Sequence, residues 1–328
     1  MVTRALRDRA RRPRSGKPGF FSSARTLSLP RGPRIEPGRV GGYYIDLRQK
    51  ARTPRLPPSG PPAGDDRLYV GVIQRGLGSY ERYLAGEGEA WLATALAVAE
   101  HLLGRQERGG RHDGGWVERR PFRHTFPLRP PWLSAMAQGE GASLLVRMHN
   151  ETREERFADA AHRALKPLAV PSSEGGVRAE LDGGPFPEEY PTDPPSYVLN
   201  GAMFALWGCY DVGVGLRDAE SAQAFEEGVD TLAACLDRWD TGHWSRYDLF
   251  PHPMVNVASS FYHSLHVNQL EAMSLIASRP QFESTAARFA AYAESRTKRT
   301  RALLHKVLFR LAVPRNKLLA HRMPWLRG

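Results

Sequence analysis

Tyrosines set beside carboxylates and hydrogen-bonding side chains recur three times in this chain, and tyrosine in such company can exchange protons. The first is Glu188-Glu189-Tyr190-Pro191, which opens a proline-broken loop through Pro194 and Pro195. The second is Trp244-Ser245-Arg246-Tyr247-Asp248, where Arg246 can hold a carboxylate while Tyr247 moves a proton. The third is Tyr262-His263-Ser264-Leu265-His266-Val267-Asn268-Gln269, in which helical spacing places Tyr262 and His266 on one face. A phenol of ordinary pKa, about 10, is a poor base unless cations or hydrogen bonds lower that value. His263 and His266 stand three apart, as metal-ligating pairs do, but no acidic third ligand follows at a familiar spacing, so no metal and no cofactor is expected. Neither a nucleophile elbow nor a Cys/His pair appears.

These residues need rigid elements to hold them. The prolines forbid a regular helix or central strand before Ser196, the expected N-cap of an apolar helix running to about Asp211. Periodicity predicts helices from about 67 through 103, over 132–152 and 154–168, over 219–238, over 257–277 and from 281 to about 309. Residues 170–184 look turn-rich, and strand-like alternation is scarce. The expected fold is all-α: an α/α toroid, or an incomplete α/α barrel, of paired helices whose loops converge on the site.

The net charge of +11 conceals an acidic body with two basic ends. Residues 1–64 carry 15 Lys/Arg and 3 Asp/Glu, and residues 296–328 carry 10 Lys/Arg and no acid. The organisation expected is a basic disordered arm (1–38), a partly ordered Pro-rich lead-in (39–66), a helical domain (67–295) and a basic amphipathic tail (296–328). The tail combines Leu303, Leu304, Val307, Leu308 and Leu311 with Arg301, Lys306 and Arg310, so it suits docking on the acidic body or contact with an anionic membrane surface. Nucleic acid is not an expected partner, because no recognition motif accompanies the charge. Cys209 and Cys235 lie in apolar helical surroundings and read as buried thiols, and no run reaches the roughly 20 apolar residues of a membrane span. The expected location is cytoplasmic, or peripheral to a membrane. Arg119, Arg120, Arg123 and Arg129 interleave with Trp116, Phe122, Phe126 and Trp132, a mixture suited to a polymer of sugar acids.

Four stretches, WLSAMAQGEGASLLVR, EEYPTDPPSYVLNGAMFALWGCYDV, RWDTGHWSRYDL and YHSLHVNQL, in this order and at these separations, resemble the C-terminal catalytic domain of the D-glucuronyl C5-epimerase family. The resemblance covers roughly residues 40–295 and implies an α/α toroid that inverts D-glucuronate to L-iduronate within heparan-type chains. It implies catalytic roles for Tyr190, Tyr247, Tyr262 and Glu189, and places Ser134, Gln138, Asn200 and Asn268 along the cleft. Arg246, His263, Arg120 and Arg123 complete the expected substrate contacts. Animal members of the family place an arginine just after the YDL motif, where this chain has Phe250, so Arg246 or the Arg119–Arg123 cluster is expected to supply the cation. The partner implied is an anionic, glucuronate-containing polysaccharide; a homodimer is compatible with this reading. The alternatives are a uronate-polymer lyase on the same scaffold and a non-catalytic glycan-binding or assembly protein.

Overall fold

The computed structural model describes residues 35–53, 68–120, 124–126 and 128–314. Among them are nine α-helices and one two-stranded hairpin, so the fold is all-α. The helices are α1 (Tyr69–Leu84), α2 (Glu89–Arg105), α3 (Ala135–Thr152), α4 (Glu155–Ala169), α5 (Leu199–Gly215), α6 (Ala219–Cys235), α7 (Ser260–Ile276), α8 (Pro280–Glu294) and α9 (Arg296–Ala312). Consecutive helices pair, α1 with α2, α3 with α4, α5 with α6 and α7 with α8. The first members of the pairs also touch in series, α1 on α3, α3 on α5 and α5 on α7.

Burial follows this order. α3 and α5 are buried along nearly their whole length, whereas α4 and α6 bury one face only. Two glycines let α3 and α5 meet backbone to backbone. A Cβ on Gly139 would lie 2.5 Å from the Phe204 carbonyl oxygen, and one on Gly208 would lie 2.4 Å from Gly139 Cα. Any larger residue at either position would push the two central helices apart.

Three features depart from the sequence expectation. Residues 178–187 form an antiparallel hairpin, β1 (Arg178–Leu181) with β2 (Gly184–Pro187), around Asp182 and Gly183, both at positive φ. Ser196 does not cap α5, whose N-cap is Val198 without a side-chain bond. The helix expected from 281 to 309 breaks at Ser295, whose hydroxyl accepts from Lys298 N and starts α9. α9 then docks on the body: Phe309 is fully buried, and Lys306 donates to Asn256 Oδ1 and the Val257 carbonyl at 2.7 Å each.

Residues 41–45 are tied to the helices by one buried ion pair. Arg147 of α3 meets Asp211 of α5 and donates to the carbonyls of Gly41 and Gly42, while Tyr44 Oη donates to Asp211 at 2.7 Å. The lead-in segment is therefore clamped to the two central helices, and it continues directly to Lys50 and Arg52.

Candidate active site

Adjacent glutamates at the exit of β2 take opposite jobs, because successive side chains of an extended segment point to opposite sides. Glu188 is fully buried and accepts from Ser196 N, Ser196 Oγ and Tyr197 N, so it locks the proline loop. Glu189 turns to a cavity of about 600 Å³. Asn200 Nδ2, at the start of α5, donates to it at 3.2 Å. Gly201 makes room for this contact, since a Cβ there would lie 2.5 Å from Glu189 Oε2. Burial pushes the Glu189 carboxyl up to about 7, with hydrogen bonds from Tyr190 and Asn200 opposing the rise.

Tyr190 lines the same cavity, its ring packed against an aromatic wall of His124, Phe126 and Trp132. Burial first, and then the charge of Glu189, hold its phenol well above the ordinary value, so it keeps its proton. Tyr262 reaches the cavity from the first turn of α7, which Ser259 caps. Tyr247 stands behind Tyr262, the two rings edge to face at 4.8 Å. The Tyr247 side chain is 3% exposed and does not line the cavity; its hydroxyl lies near that of Tyr190 but makes no well-formed hydrogen bond. Lys306 of α9 sits 5.9 Å over the Tyr247 ring. All three tyrosines thus gather at one place, two at the cavity surface and one behind it.

The other expected residues divide. Ser134 and Asn200 line the cavity, and the buried Asn200 Oδ1 has no partner among the described residues. Gln138 does not line it. It accepts from Trp116 N and donates to the carbonyls of Gly114 and Ala164, stapling the glycine-rich loop to the helix layer. His263 is buried with Nδ1 2.8 Å from Ser245 Oγ and Nε2 2.9 Å from the Phe289 carbonyl, and His266 Nδ1 shares the same hydroxyl at 2.9 Å. Burial lowers the pKa of His263 to about 4, so it is a neutral structural ring. Tyr262 and His266 accordingly do not present one functional face: Tyr262 shares the cavity with Leu265, while His266 is sealed inside. Asn268 is half-buried on α7, away from the cavity lining. Among the described residues no group of three or more His, Cys, Asp or Glu is placed to hold a metal.

The expected cations also move. Arg246 is not a cavity residue; its Nε is buried without a partner among the described residues, and burial lowers its pKa. Arg120 is exposed and off the lining, Arg119 pairs with Glu107, and Arg123 lies outside the described residues. The cations that do line the cavity are Lys50 and Arg52, carried by the clamped lead-in segment, with Glu118 on the α1 side. Only the buried Tyr43-Tyr44-Ile45 run beforehand hints that this segment is ordered against the body.

A further buried carboxyl lies in α3. Burial pushes Glu140 up to about 8, with Glu189 adding to the rise and Gln74 and Lys50 opposing it. Its folded pKa exceeds the ordinary 4.5, so its stabilising contribution is complete below that value and is lost as pH rises through about 8. Thermal melts of wild type and Glu140→Gln are expected to diverge between about pH 5 and 9, wild type losing on the order of 2–4 kcal/mol relative to the variant. Parallel curves would show that Glu140 is not protonated in the fold.

A mostly helical scaffold thus presents a cavity lined by tyrosines and aromatic rings with a buried carboxyl and two cations at its wall. Residues 109–291 match the family described as "D-glucuronyl C5-epimerase C-terminus". A D-glucuronyl C5-epimerase from Caenorhabditis elegans is 34% identical over 250 residues, covering 70% of this chain and 40% of that protein. An uncharacterized protein of Methanocaldococcus jannaschii, MJ1128, is 27% identical over 195 residues, covering 56% of this chain and 62% of that one. The chain spans less than two thirds of the length of these two curated relatives. It belongs to the D-glucuronyl C5-epimerase family.

Proposed function

We propose that this chain inverts C5 of D-glucuronate residues within an anionic polysaccharide, Glu189 and Tyr190 serving proton transfer on one face of C5 and Tyr262 on the other. The observation that carries this reading is that the adjacent Glu189 and Tyr190, and Tyr262 from a distant helix, line one cavity together with Lys50 and Arg52. The cavity volume, about 600 Å³, falls in the range of small-ligand sites and suits a sugar unit.

The chemistry assigns the roles. H5 of a glucuronate lies α to its carboxylate, so its removal builds charge on that carboxylate, and positioned cations and donors stabilise the enediolate. Lys50, Arg52 and the Asn200 amide are the groups of the cavity suited to this. A base with a pKa near the working pH is most effective, which favours Glu189, drawing the phenol proton from Tyr190 as the phenol oxygen takes H5. Inversion needs a second group to deliver a proton to the other face of C5. Tyr262 serves, because it reaches the cavity from a different element and carries an exchangeable proton. Tyr247 then acts as a positioning residue that packs the Tyr262 ring.

Incubation with a desulfated glucuronate polymer in deuterated water tests the reaction. Deuterium at C5 with chain length unchanged and iduronate formed is the expected result. Shortened chains with unsaturated ends would indicate a lyase instead, and binding without exchange a glycan-binding protein. For the clamp, the Lys50→Ala/Arg52→Ala double variant is expected to lose about 10²–10³-fold in kcat/KM. Arg246→Ala, off the cavity, is expected to stay within about threefold of wild type at unchanged Tm. The reverse ranking would return the carboxylate clamp to Arg246.

A further inference from the structure

α9 carries more apolar surface than its docking uses. Its inward face consists of Ala302, His305, Lys306 and Phe309, and Phe309 packs against His252 with ring centres 5.1 Å apart. Its outward face exposes Leu303 (58%), Leu304 (59%), Val307 (43%), Leu308 (54%) and Leu311 (73%). These five belong to the nine large hydrophobic side chains that stand exposed among the described residues, so half the exposed apolar bulk sits on one helix. Scattered single leucines need no explanation, but a contiguous stripe on one helix face does.

The charge around the stripe has one sign. α9 itself carries six Lys/Arg and no Asp/Glu, although the body between 65 and 295 is acidic. A shallow groove of about 710 Å³ runs beside the stripe, with Met254, Leu304 and Leu308 as its apolar wall and Arg296 and Arg301 at its rim. The helix is 17 residues long, and no helix among the described residues is long and apolar enough to cross a membrane. An amphipathic helix of this kind lies in the plane of a lipid surface, apolar face down, with its cations at the headgroups.

We propose that α9 seats the protein on an anionic lipid surface through the Leu303–Leu311 stripe and its surrounding cations. Docking on the body and contact with lipid are then two faces of one helix. An anionic polysaccharide would satisfy the cations but leave the leucines in water, so the apolar stripe favours lipid. Because Lys306 binds the Asn256 side chain and the Val257 carbonyl beside Tyr247, the helix is held to the body.

The test is co-sedimentation of the full chain with vesicles of phosphatidylcholine, with and without roughly one-third phosphatidylglycerol. Binding is expected only with the anionic lipid, to weaken with added salt, and to fall about tenfold in the Leu304→Asn/Leu308→Asn variant. That variant replaces exposed side chains, so its Tm is expected to match wild type. Equal binding to neutral vesicles, or none to either, would overturn the proposal. So would a wild-type dimer in solution that the same variant converts to monomer, since a second copy would then cover the stripe. Lipid binding gained only on removing residues 315–328 would assign the stripe to the chain's own end and overturn it as well.

Discussion

Tyr190→Phe is expected to lower C5 inversion by about 10²–10⁴-fold, the range that a positioned acid or base contributes. The change deletes one oxygen and keeps the ring, so its packing on His124, Phe126 and Trp132 persists and the fold should be retained. The lost hydroxyl is the one bonded to Glu189. Removing that bond, which favours the charged carboxylate, is expected to raise the Glu189 pKa further and move the acid limb of the rate profile above about 7. Tyr262→Phe is expected to lose inversion by a similar factor without this shift. Tyr247→Phe, in which the ring that packs Tyr262 survives, should lose much less. Inversion rates followed by NMR across pH, with Tm measured in parallel, separate these outcomes. Near-normal inversion in Tyr190→Phe would remove the phenol from the mechanism.

The largest effect on the fold is expected from Arg147→Met. The guanidinium is 1% exposed and its partner carboxylate fully buried, with ancillary bonds to Ser143, Gly41 and Gly42. Removing one partner of such a pair leaves the other charge unpaired in the interior, which costs about 3–5 kcal/mol. For a domain of this size each kcal/mol lowers Tm by about 2–4 °C, so a fall on the order of 10 °C is expected. The double variant Arg147→Met/Asp211→Asn should recover part of the loss, because no buried charge remains. Where the single variant folds, KM should also rise, since the lead-in segment that carries Lys50 and Arg52 loses one of its anchors and keeps those made by Arg82 and Glu81 of α1. Calorimetry and substrate titration check both. An unchanged Tm would mean that the pair is hydrated rather than buried.

Much of this was legible from residue types alone. Helix pairs announce themselves by apolar periodicity, and α3 through α7 fall close to the spans that periodicity predicts. The motif resemblance directed attention to Tyr190, Tyr247, Tyr262 and Glu189, and these do converge. What pattern could not reveal was direction. Gln138 and Ser134 lie four apart on one stretch, yet one faces the glycine-rich loop and the other the cavity, because Ser134 is the extended N-cap of α3 while Gln138 lies inside the helix. Glu188 and Glu189 are chemically identical neighbours whose jobs separate only when the strand exit turns one inward. Ser196 has the residue type of a cap but is claimed by Glu188 and by the Tyr190 carbonyl. The β1–β2 hairpin did leave a signal, an Asp-Gly pair suited to a tight turn, but its four-residue strands carry two prolines and too little alternation to register. Lys50 and Arg52 lay hidden because an aperiodic segment becomes a cavity wall only through long-range contacts, those of Arg147 with Gly41 and Gly42 and of Arg82 with the carbonyls of Arg48 and Ala51.

The most direct measurement follows deuterium uptake and inversion separately, starting once from glucuronate and once from iduronate units, in Tyr190→Phe and Tyr262→Phe. If the two sides of C5 are served by different groups, each variant should keep uptake from one epimer and lose it from the other, with inversion lost in both. Parallel loss of uptake from both epimers in each variant, or undiminished inversion in either, would contradict the assignment of Glu189, Tyr190 and Tyr262 to the two faces of one sugar.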